Sequence, residues 1–478
     1  MNDLIETQTR PYDGPQDLES AEKTEEISGS KVTERDPEAS TPDTLPENAE
    51  AQESALTPLQ LVQQQFALMQ LKGNLYIFEH GNILVRYANE ETASLDFSNL
   101  SHGTLLIERE LAPLLSASDA RSTALAFRTH PDTVCYKGVE FNPKETTPGY
   151  LNLWVGPTIQ PIPGDATPIK DFILEVICNG NRDSYGYLMG FLAHALQRPQ
   201  EKPGVMITLL GGQGIGKGRF GKICRKIWGA SYLQVSKMET ILGNFNAPLE
   251  RAYVVFLDEA LFVGDRRQTN TLKSLVTEET IVINEKHQPQ HQIGSYHRYI
   301  LSTNAPQLKH TERDDRRDFA LRVSELHKDD LDYWNRLNQA IEGGAVEAFA
   351  FELLVMDLSN FNVRQRPRTA ELQEQKLLSL EGIDRYWYEK LVEGDAEGGW
   401  PDFIGTNEIL EEVGQLPEFK RHRPPSSQQL VKTVKSLCPS ADHRPKPIGK
   451  QKVRGFHLPP LEVARAEFET WIGGKIIW

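Results

Sequence analysis

A glycine-rich segment between an apolar stretch and an amphipathic stretch constrains this chain more than any other feature. Residues 211–217 read Gly-Gly-Gln-Gly-Ile-Gly-Lys, with four residues between the first glycine and the final Gly-Lys pair. The apolar residues 205–210 before it predict a buried strand, and residues 217–228 after it predict a helix. Glycines let such a loop turn its N–H groups toward an anion, and the helix start adds a positive dipole end. We therefore predict a phosphate-binding loop.

The residues of this loop have distinct expected roles. Lys217 would reach the β- and γ-phosphate oxygens of a nucleotide. The next residue departs from the usual pattern, because Ser or Thr there supplies a hydroxyl to Mg²⁺ and this chain has Gly218. The metal must then be held by water or acidic residues, or the site binds nucleotide and hydrolyses it slowly. The predicted nucleotide-binding residues are Gly211, Gly212, Gln213, Gly214, Ile215, Gly216, Lys217 and Gly218.

Polar side chains follow two further apolar stretches. Residues 253–257 predict a buried strand that ends at Asp258 and Glu259. The carboxyl ends of parallel strands face one crevice, so we expect Asp258 to bind Mg²⁺ and Glu259 to polarise the attacking water. Residues 298–302 predict a third strand, which leads to Asn304, an amide that can bond both water and the γ-phosphate. A basic cluster follows, in which Arg316 or Arg317 would neutralise transition-state charge on a neighbouring subunit's nucleotide.

The order of these motifs resembles superfamily three helicases, and most of all the primase-helicases of phages, plasmids and large DNA viruses, with a poxvirus-type helicase domain. The resemblance extends over residues 136–356 and to the C-terminal ending, residues 455–478. It is carried by GGQGIGKG, VVFLDEA, LKSLVTEETIVINEKH, RYILSTNAP and DDRRDFALRVS. It implies an α/β fold with an AAA+-related P-loop NTPase core, a ring that is usually hexameric, and ATP and Mg²⁺ as cofactors. It also implies that ATP hydrolysis drives movement along single-stranded DNA.

The same resemblance implies roles for individual residues. Asn304 would be the nucleotide sensor, and Arg316 or Arg317 the arginine finger. Lys273 and the hairpin at residues 281–293, which carries Lys286 and His287, match the segment with which the family grips DNA in the pore of the ring. A lysine at a loop tip supplies a phosphate contact that is independent of base sequence.

The charge of the chain is unevenly distributed. Its net charge is −15, of which the first 54 residues hold −11, with 15 acidic and four basic residues. This composition predicts a disordered acidic tail over residues 1–55. Residues 420–457 contain ten Lys or Arg residues and one Asp, which predicts a nucleic-acid contact, with duplex DNA beside the ring as the expected partner. The residues expected to make it are Lys446, Lys450, Lys452 and Arg454.

Composition and periodicity divide the chain into four parts: the tail, an N-terminal α+β region at 56–198, a P-loop ATPase domain at 199–360 and a small basic winged-helix-like domain at 377–478. Residues 59–71 predict a helix, and so do residues 170–197. The four cysteines lack metal-ligand spacing, and no targeting segment or bilayer-spanning apolar run is visible, so we predict a cytoplasmic protein.

The leading hypothesis is an ATP-dependent DNA helicase of a phage or mobile element that unwinds DNA for replication. No primase module is recognisable before residue 200, so a separate primase or polymerase is an expected partner. The alternative is a replication initiator or DNA-binding scaffold with little ATP turnover, which Gly218 favours. A nucleoside monophosphate kinase is opposed by the late position of the loop and by the motifs that follow it. A motor acting on protein is disfavoured by the basic C-terminal segment.

Overall fold

The computed structural model describes residues 56–81, 95–259, 266–305, 311–313, 315–395, 399–420 and 423–478, so the predicted acidic tail lies outside the described residues. None of the helices in these ranges has the length and apolarity needed to cross a bilayer. Among the same residues the buried apolar side chains form three clusters.

The N-terminal region begins with a short helix, α1 (Pro58–Gln65), and a hairpin of β1 (Phe66–Leu71) and β2 (Asn74–Glu79). The single helix predicted over residues 59–71 is therefore wrong in its second half. Lys72 and Gly73 both have positive φ, 49° and 82°, which is the backbone of a two-residue hairpin turn. A short apolar run cannot be assigned to helix or strand by periodicity alone, and here the turn decides it.

Short strands and helices complete this region. They are β3 (Ser98–Asn99), α2 (Leu100–Leu111), α3 (Ala117–Phe127), β4 (Cys135–Tyr136), β5 (Gly138–Glu140), β6 (Tyr150–Asn152), α4 (Thr167–Asp171), a π-helix (Phe172–Ile177) and α5 (Arg182–Gln197). The predicted helical stretch 170–197 is interrupted at residues 178–181, where Asn179 and Gly180 have positive φ and Asn181 caps α5.

The central part alternates strands and helices. Its elements are β7 (Met206–Leu210), α6 (Lys217–Trp228), β8 (Tyr232–Val235), α7 (Glu239–Leu242), β9 (Val254–Leu257), α8 (Arg266–Thr277), β10 (Thr280–Ile283), β11 (His291–Gly294), β12 (Arg298–Thr303), β13 (Asp318–Arg322), α9 (Leu331–Glu342) and α10 (Ala345–Val355). Within the described residues five strands form one sheet in the order β13-β7-β12-β9-β8, and every pair in it is parallel. All five carboxyl ends therefore lie at one edge.

The C-terminal part has its own core. Its elements are α11 (Ala370–Leu378), α12 (Gly382–Glu393), β14 (Phe403–Gly405), α13 (Thr406–Gly414), α14 (Ser427–Leu437), β15 (Asp442–Ile448), β16 (Gln451–His457) and α15 (Leu461–Ile472). Its described strands form an antiparallel sheet in the order β14-β16-β15. Helices α12–α15 bury Trp387, Leu430 and Phe468 against Phe456 of this sheet. Helix α15 was not anticipated from the sequence.

The largest hydrophobic cluster joins the N-terminal region to the five-stranded sheet. It runs from Ala67 to Leu372 and includes most of α5 as well as strands β7, β9 and β12. The predicted boundary between residues 198 and 199 thus falls inside one cluster. This shared packing fixes the N-terminal helices against the sheet that carries the site.

Candidate functional site

The glycine-rich loop connects β7 to α6 at the carboxyl edge of the sheet. Gly211, Gly214 and Gly216 have φ values of 143°, 76° and 108°, which residues with a side chain rarely adopt. A Cβ atom on Gly216 would lie 2.8 Å from Trp334 Cη2, and one on Gly211 would lie 2.6 Å from Ile215 Cδ1. Gly211 and Gly216 are therefore required for two reasons: their backbone angles are unfavourable for other residues, and a Cβ atom at either position would clash with a neighbouring side chain.

Lys217 is the first residue of α6, and its side chain folds back over the loop. Only 7% of the residue is exposed. Its Nζ donates to the carbonyl oxygens of Gly211 and Gly212, and to Asn304 Oδ1 at 2.8 Å. Burial lowers the pKa of Lys217, and the negative charges of Asp258 and Glu259 oppose that shift. A phosphate oxygen would be an alternative acceptor for the same ammonium group, and a charged one.

Asp258 and Glu259 follow β9 at the same edge. Asp258 is half-buried and accepts a hydrogen bond from Gln234 Nε2 at 3.2 Å. Glu259 is exposed and has a positive φ of 54°, an uncommon conformation for glutamate. The structure thus brings Lys217, Asn304 and the two carboxylates together, as the positions of the strands predict.

The side chains beside the glycine loop supply only some of the ligands that a metal ion needs. Across the described ranges no three His, Cys, Asp or Glu side chains converge as a metal-binding group. Asp258 would hold Mg²⁺ together with phosphate oxygens and water, as magnesium sites on nucleotides commonly do. Gly218 is exposed, and a Cβ atom there would meet nothing within 4 Å. Water therefore has access to the place of the missing hydroxyl.

Two residues that lie beside the loop are not indicated by any sequence motif. The Arg219 guanidinium lies 4.5 Å from the ring centre of Trp334, on α9, and burial lowers the pKa of Arg219. Trp334 also packs behind the loop, against the site of Gly216 and beside Phe172 of the π-helix. No sequence signal links these positions, because only the tertiary fold brings them together.

Arg316 and Arg317 lie at the opposite edge of the sheet. They immediately precede β13, and the Arg317 carbonyl accepts from Met206 N–H at the start of β7. Arg316 is exposed, whereas Arg317 is half-buried and its N–H donates to Asp315 Oδ1 at 2.9 Å. Within one chain these arginines do not join Lys217. The prediction that one of them acts on a neighbouring subunit's nucleotide stays a prediction.

The predicted DNA-contacting residues separate into two groups. Lys286 and His287 are exposed in the turn of the β10–β11 hairpin, as expected for a loop tip. Lys273 is not at a loop tip. It lies on α8, is 9% exposed, and its Nζ is 2.7 Å from Glu312 Oε1. Lys273 is therefore engaged in an ion pair inside the protein, and its contact with DNA stays a prediction.

The base of the hairpin is tied to the core by side-chain hydrogen bonds. Lys202 Nζ donates to the Leu275 carbonyl at 2.8 Å and to Ser295 Oγ at 2.5 Å. Asn246 donates to the Val282 carbonyl at 3.0 Å and accepts from Asn284 N–H at 2.8 Å. The hairpin is anchored at its base, while its tip is exposed.

Residues 311–313 connect the central part to the C-terminal part. Glu312 makes the ion pair with Lys273 of α8. Thr311 N–H donates to Ser379 Oγ at 2.8 Å, and the Arg313 guanidinium lies 5.1 Å from a ring centre of Trp471, on α15. A cavity of about 480 Å³ adjoins these residues, and it is also lined by Asp384, whose pKa is raised to about 6 by burial.

The Lys446, Lys450, Lys452 and Arg454 side chains all lie on the β15–β16 hairpin of the C-terminal part. Lys450, Lys452 and Arg454 are exposed, and Lys446 is half-buried with its Nζ 5.3 Å from the ring centre of Phe403. The predicted basic surface is thus one continuous structural element.

Comparison with known proteins places these features in context. Residues 209–317, which include the loop, Asp258 and Asn304, match a family model described as a family of unknown function, DUF5906. The chain is 27% identical over 177 residues to a DNA primase-polymerase of Nitratiruptor phage NrS-1. That alignment covers 35% of this chain and 24% of the phage protein, so the chain matches about a quarter of that relative.

The fold is also found in solved structures. An apo structure of the C-terminal region of NrS-1 is 16% identical, with a TM-score of 0.59, and the match covers 84% of this chain and 99% of that one. A second apo structure of the same region has 15% identity and a TM-score of 0.60, with 84% and 98% covered. This chain therefore shares the mixed α/β fold of that region.

Proposed function

We propose that this protein is an ATP-dependent DNA motor of phage replication, a helicase with an AAA+-related P-loop core. One observation carries the proposal. The carboxyl edge of an all-parallel sheet brings together a glycine loop with Lys217, the carboxylates of Asp258 and Glu259, and Asn304. These groups together supply what phosphoryl transfer requires: an anion cradle, a metal ligand, a base and a sensor of the γ-phosphate. Similarity to a phage primase-polymerase supports a role in DNA replication.

The geometry suggests how each residue acts. Lys217 exchanges its loop carbonyl acceptors and Asn304 for phosphate oxygens when nucleotide binds. Asn304 is then free to bond the γ-phosphate or the attacking water, so its amide reports which nucleotide is present. Asp258 would hold Mg²⁺, which would supply positive charge beside the phosphates, and Glu259 orients the water.

Arg316 and Arg317 suit a role between subunits. They lie at the edge of the sheet opposite Lys217, so either one can reach a nucleotide only if another copy of the chain binds it. A closed ring in which the two edges meet would satisfy this condition. Lys286 and His287 at the exposed hairpin tip would then contact single-stranded DNA in the ring.

The test is phosphate release from ATP and Mg²⁺ with and without single-stranded DNA. We expect DNA to stimulate release, and Glu259→Gln to reduce it by roughly 10²–10⁴-fold while ATP binding persists. Glu145→Gln, the same change in an exposed loop residue, is the matched control and should behave as the wild type.

A second candidate is a nucleotide-binding initiator or scaffold with little turnover. The absence of a hydroxyl at Gly218 favours it, because the metal loses one direct protein ligand. Binding of ATP and DNA without phosphate release, in the wild type as in Glu259→Gln, would contradict the motor and support this candidate.

A further inference from the structure

The hairpin of β15 and β16, here called the wing, projects from the core of the C-terminal part. At its base, Phe456 is fully buried and pairs with His443. Beyond that pair the side chains from Arg444 to Arg454 are exposed, apart from the half-buried Lys446 and Val453. The turn at its tip contains Gly449, with φ 61°, and Lys450. The wing therefore offers most of its length to a partner.

The basic side chains of the wing lie on both of its faces. Residues directly opposite each other in an antiparallel pair share a face, and successive residues alternate. The register pairs Pro447 with Lys452 and Pro445 with Arg454, which places Lys452 and Arg454 on one face. Arg444 and Lys446 lie on the other face. Each face thus carries two cations, and Lys450 lies at the tip.

Most of this charge is not neutralised by the protein itself. Arg444 lies 3.3 Å from Asp442, and both side chains are exposed. Among the described residues no carboxylate forms an ion pair with Lys446, Lys450, Lys452 or Arg454. The wing therefore presents a concentrated positive field to solvent, although the net charge of the chain is −15.

We propose that the wing is a binding site for double-stranded DNA and enters a groove between the two phosphate backbones. A hairpin with cations on both faces needs negative charge on both sides. A single strand offers one line of phosphates, whereas a groove has two walls. The B-form major groove is about 12 Å wide and admits a two-stranded ribbon. In A-form RNA the major groove is too narrow for side chains and the minor groove is shallow, so both walls are not within reach.

The apolar surface of the wing also argues against a single-stranded ligand. Sites for single strands combine cations with exposed aromatic rings on which bases stack. Here Phe456 is buried, and Phe403 is covered on one side by Lys446. Ile448 is the large apolar side chain exposed at the tip, at 51%. The wing can thus contact a ligand through an aliphatic side chain and neutralise its phosphates, but it offers no ring for bases to stack on. These properties suit a duplex, whose bases stay paired with each other.

The experiment measures binding to the full chain without nucleotide, so that its outcome is independent of the motor. Anisotropy titrations use a 30-base-pair DNA duplex, one of its single strands and the RNA duplex of equal sequence, at several salt concentrations. Lys446→Gln removes a cation from one face and Lys452→Gln removes one from the other. Lys144→Gln, at an exposed loop position, is the charge-matched control. Thermal unfolding of each variant verifies folding.

On duplex DNA, we expect each single wing variant to make the slope of log K against log salt less negative by about 0.9. The same loss of one phosphate contact should weaken duplex binding roughly 8-fold at 100 mM salt. The double variant should lose roughly 60-fold, and binding to the single strand should be unchanged. Loss in only one of the two single variants would overturn the two-faced contact. The assignment to duplex DNA would be overturned if the wing variants lost as much affinity for the single strand as for the duplex, or if the wild type bound the RNA duplex more tightly than the DNA duplex. It would also be overturned if Lys144→Gln weakened duplex binding as much as the wing variants do.

Discussion

Replacing Gly216 by alanine should destabilise the protein, whereas the same replacement at Gly218, two residues further on, should stabilise it. Gly216 has φ 108°, and a Cβ atom there would lie 2.8 Å from Trp334 Cη2 and 3.1 Å from Phe172 Cε2. The backbone conformation costs roughly 1–3 kcal/mol for a residue with a side chain. Overpacking against two fixed rings adds about 1–3 kcal/mol. Gly216→Ala should therefore destabilise the protein by about 2–6 kcal/mol.

Gly218 is the second residue of α6, two residues beyond Gly216, and an added Cβ there meets nothing within 4 Å. Alanine at this position should stabilise the protein by about 0.5–1 kcal/mol, because glycine is unfavourable in a helix. The assay is urea unfolding followed by tryptophan fluorescence, with nucleotide absent. A Gly216→Ala protein as stable as the wild type would refute the view that Trp334 and Phe172 fix the loop. Equal destabilisation by both variants would refute the contrast drawn from the open space at Gly218.

Three further outcomes are expected. Gly218→Ser should lower the Mg²⁺ concentration needed for half-maximal ATP hydrolysis, because it adds a hydroxyl ligand for the metal. The assay is a magnesium titration of phosphate release, and an unchanged half-maximal concentration would show that the hydroxyl does not reach the metal. Lys286→Gln should weaken binding to single-stranded DNA and reduce its salt slope by about 0.7, with Lys72→Gln as an exposed control of equal charge change. Asp384 has a folded-state pKa raised to about 6, so its contribution to stability falls as the pH rises from about 4 to 6. Asp384→Asn should therefore raise stability at pH 7.5 by about 1–3 kcal/mol and leave it unchanged near pH 4, and a gain of equal size at both pH values would contradict this assignment.

The elements that were predictable are those in which local chemistry and periodicity agree. The helix at Lys217–Trp228 starts at the predicted residue, because the glycine loop and the amphipathic pattern both indicate the same boundary. Gly343 and Gly344 separate α9 from α10, as the paired glycines indicate. The ends of β9 and β12 place Asp258 and Asn304 because parallel strands align their carboxyl ends.

The elements that were not predictable depend on contacts distant in sequence. The strand at Phe66–Leu71 looked helical in isolation, and pairing with β2 decides its state. Lys273 looked available for DNA, but the ion pair with Glu312 is visible only in three dimensions. The contact of Arg219 with Trp334 likewise requires α9 to pack behind the loop.

The short segment 311–313 has a mechanical consequence. Its three consecutive residues contact three different elements. Thr311 bonds Ser379, just after α11, and Arg313 contacts α15, both in the C-terminal part, whereas Glu312 pairs with α8 of the central part. A rigid rotation of the C-terminal part about the sheet must therefore break at least one of these attachments or carry the segment with it. Because the segment lies in sequence between Asn304 and Arg316, a rotation that carries the segment along would also pull on the chain that joins these two residues.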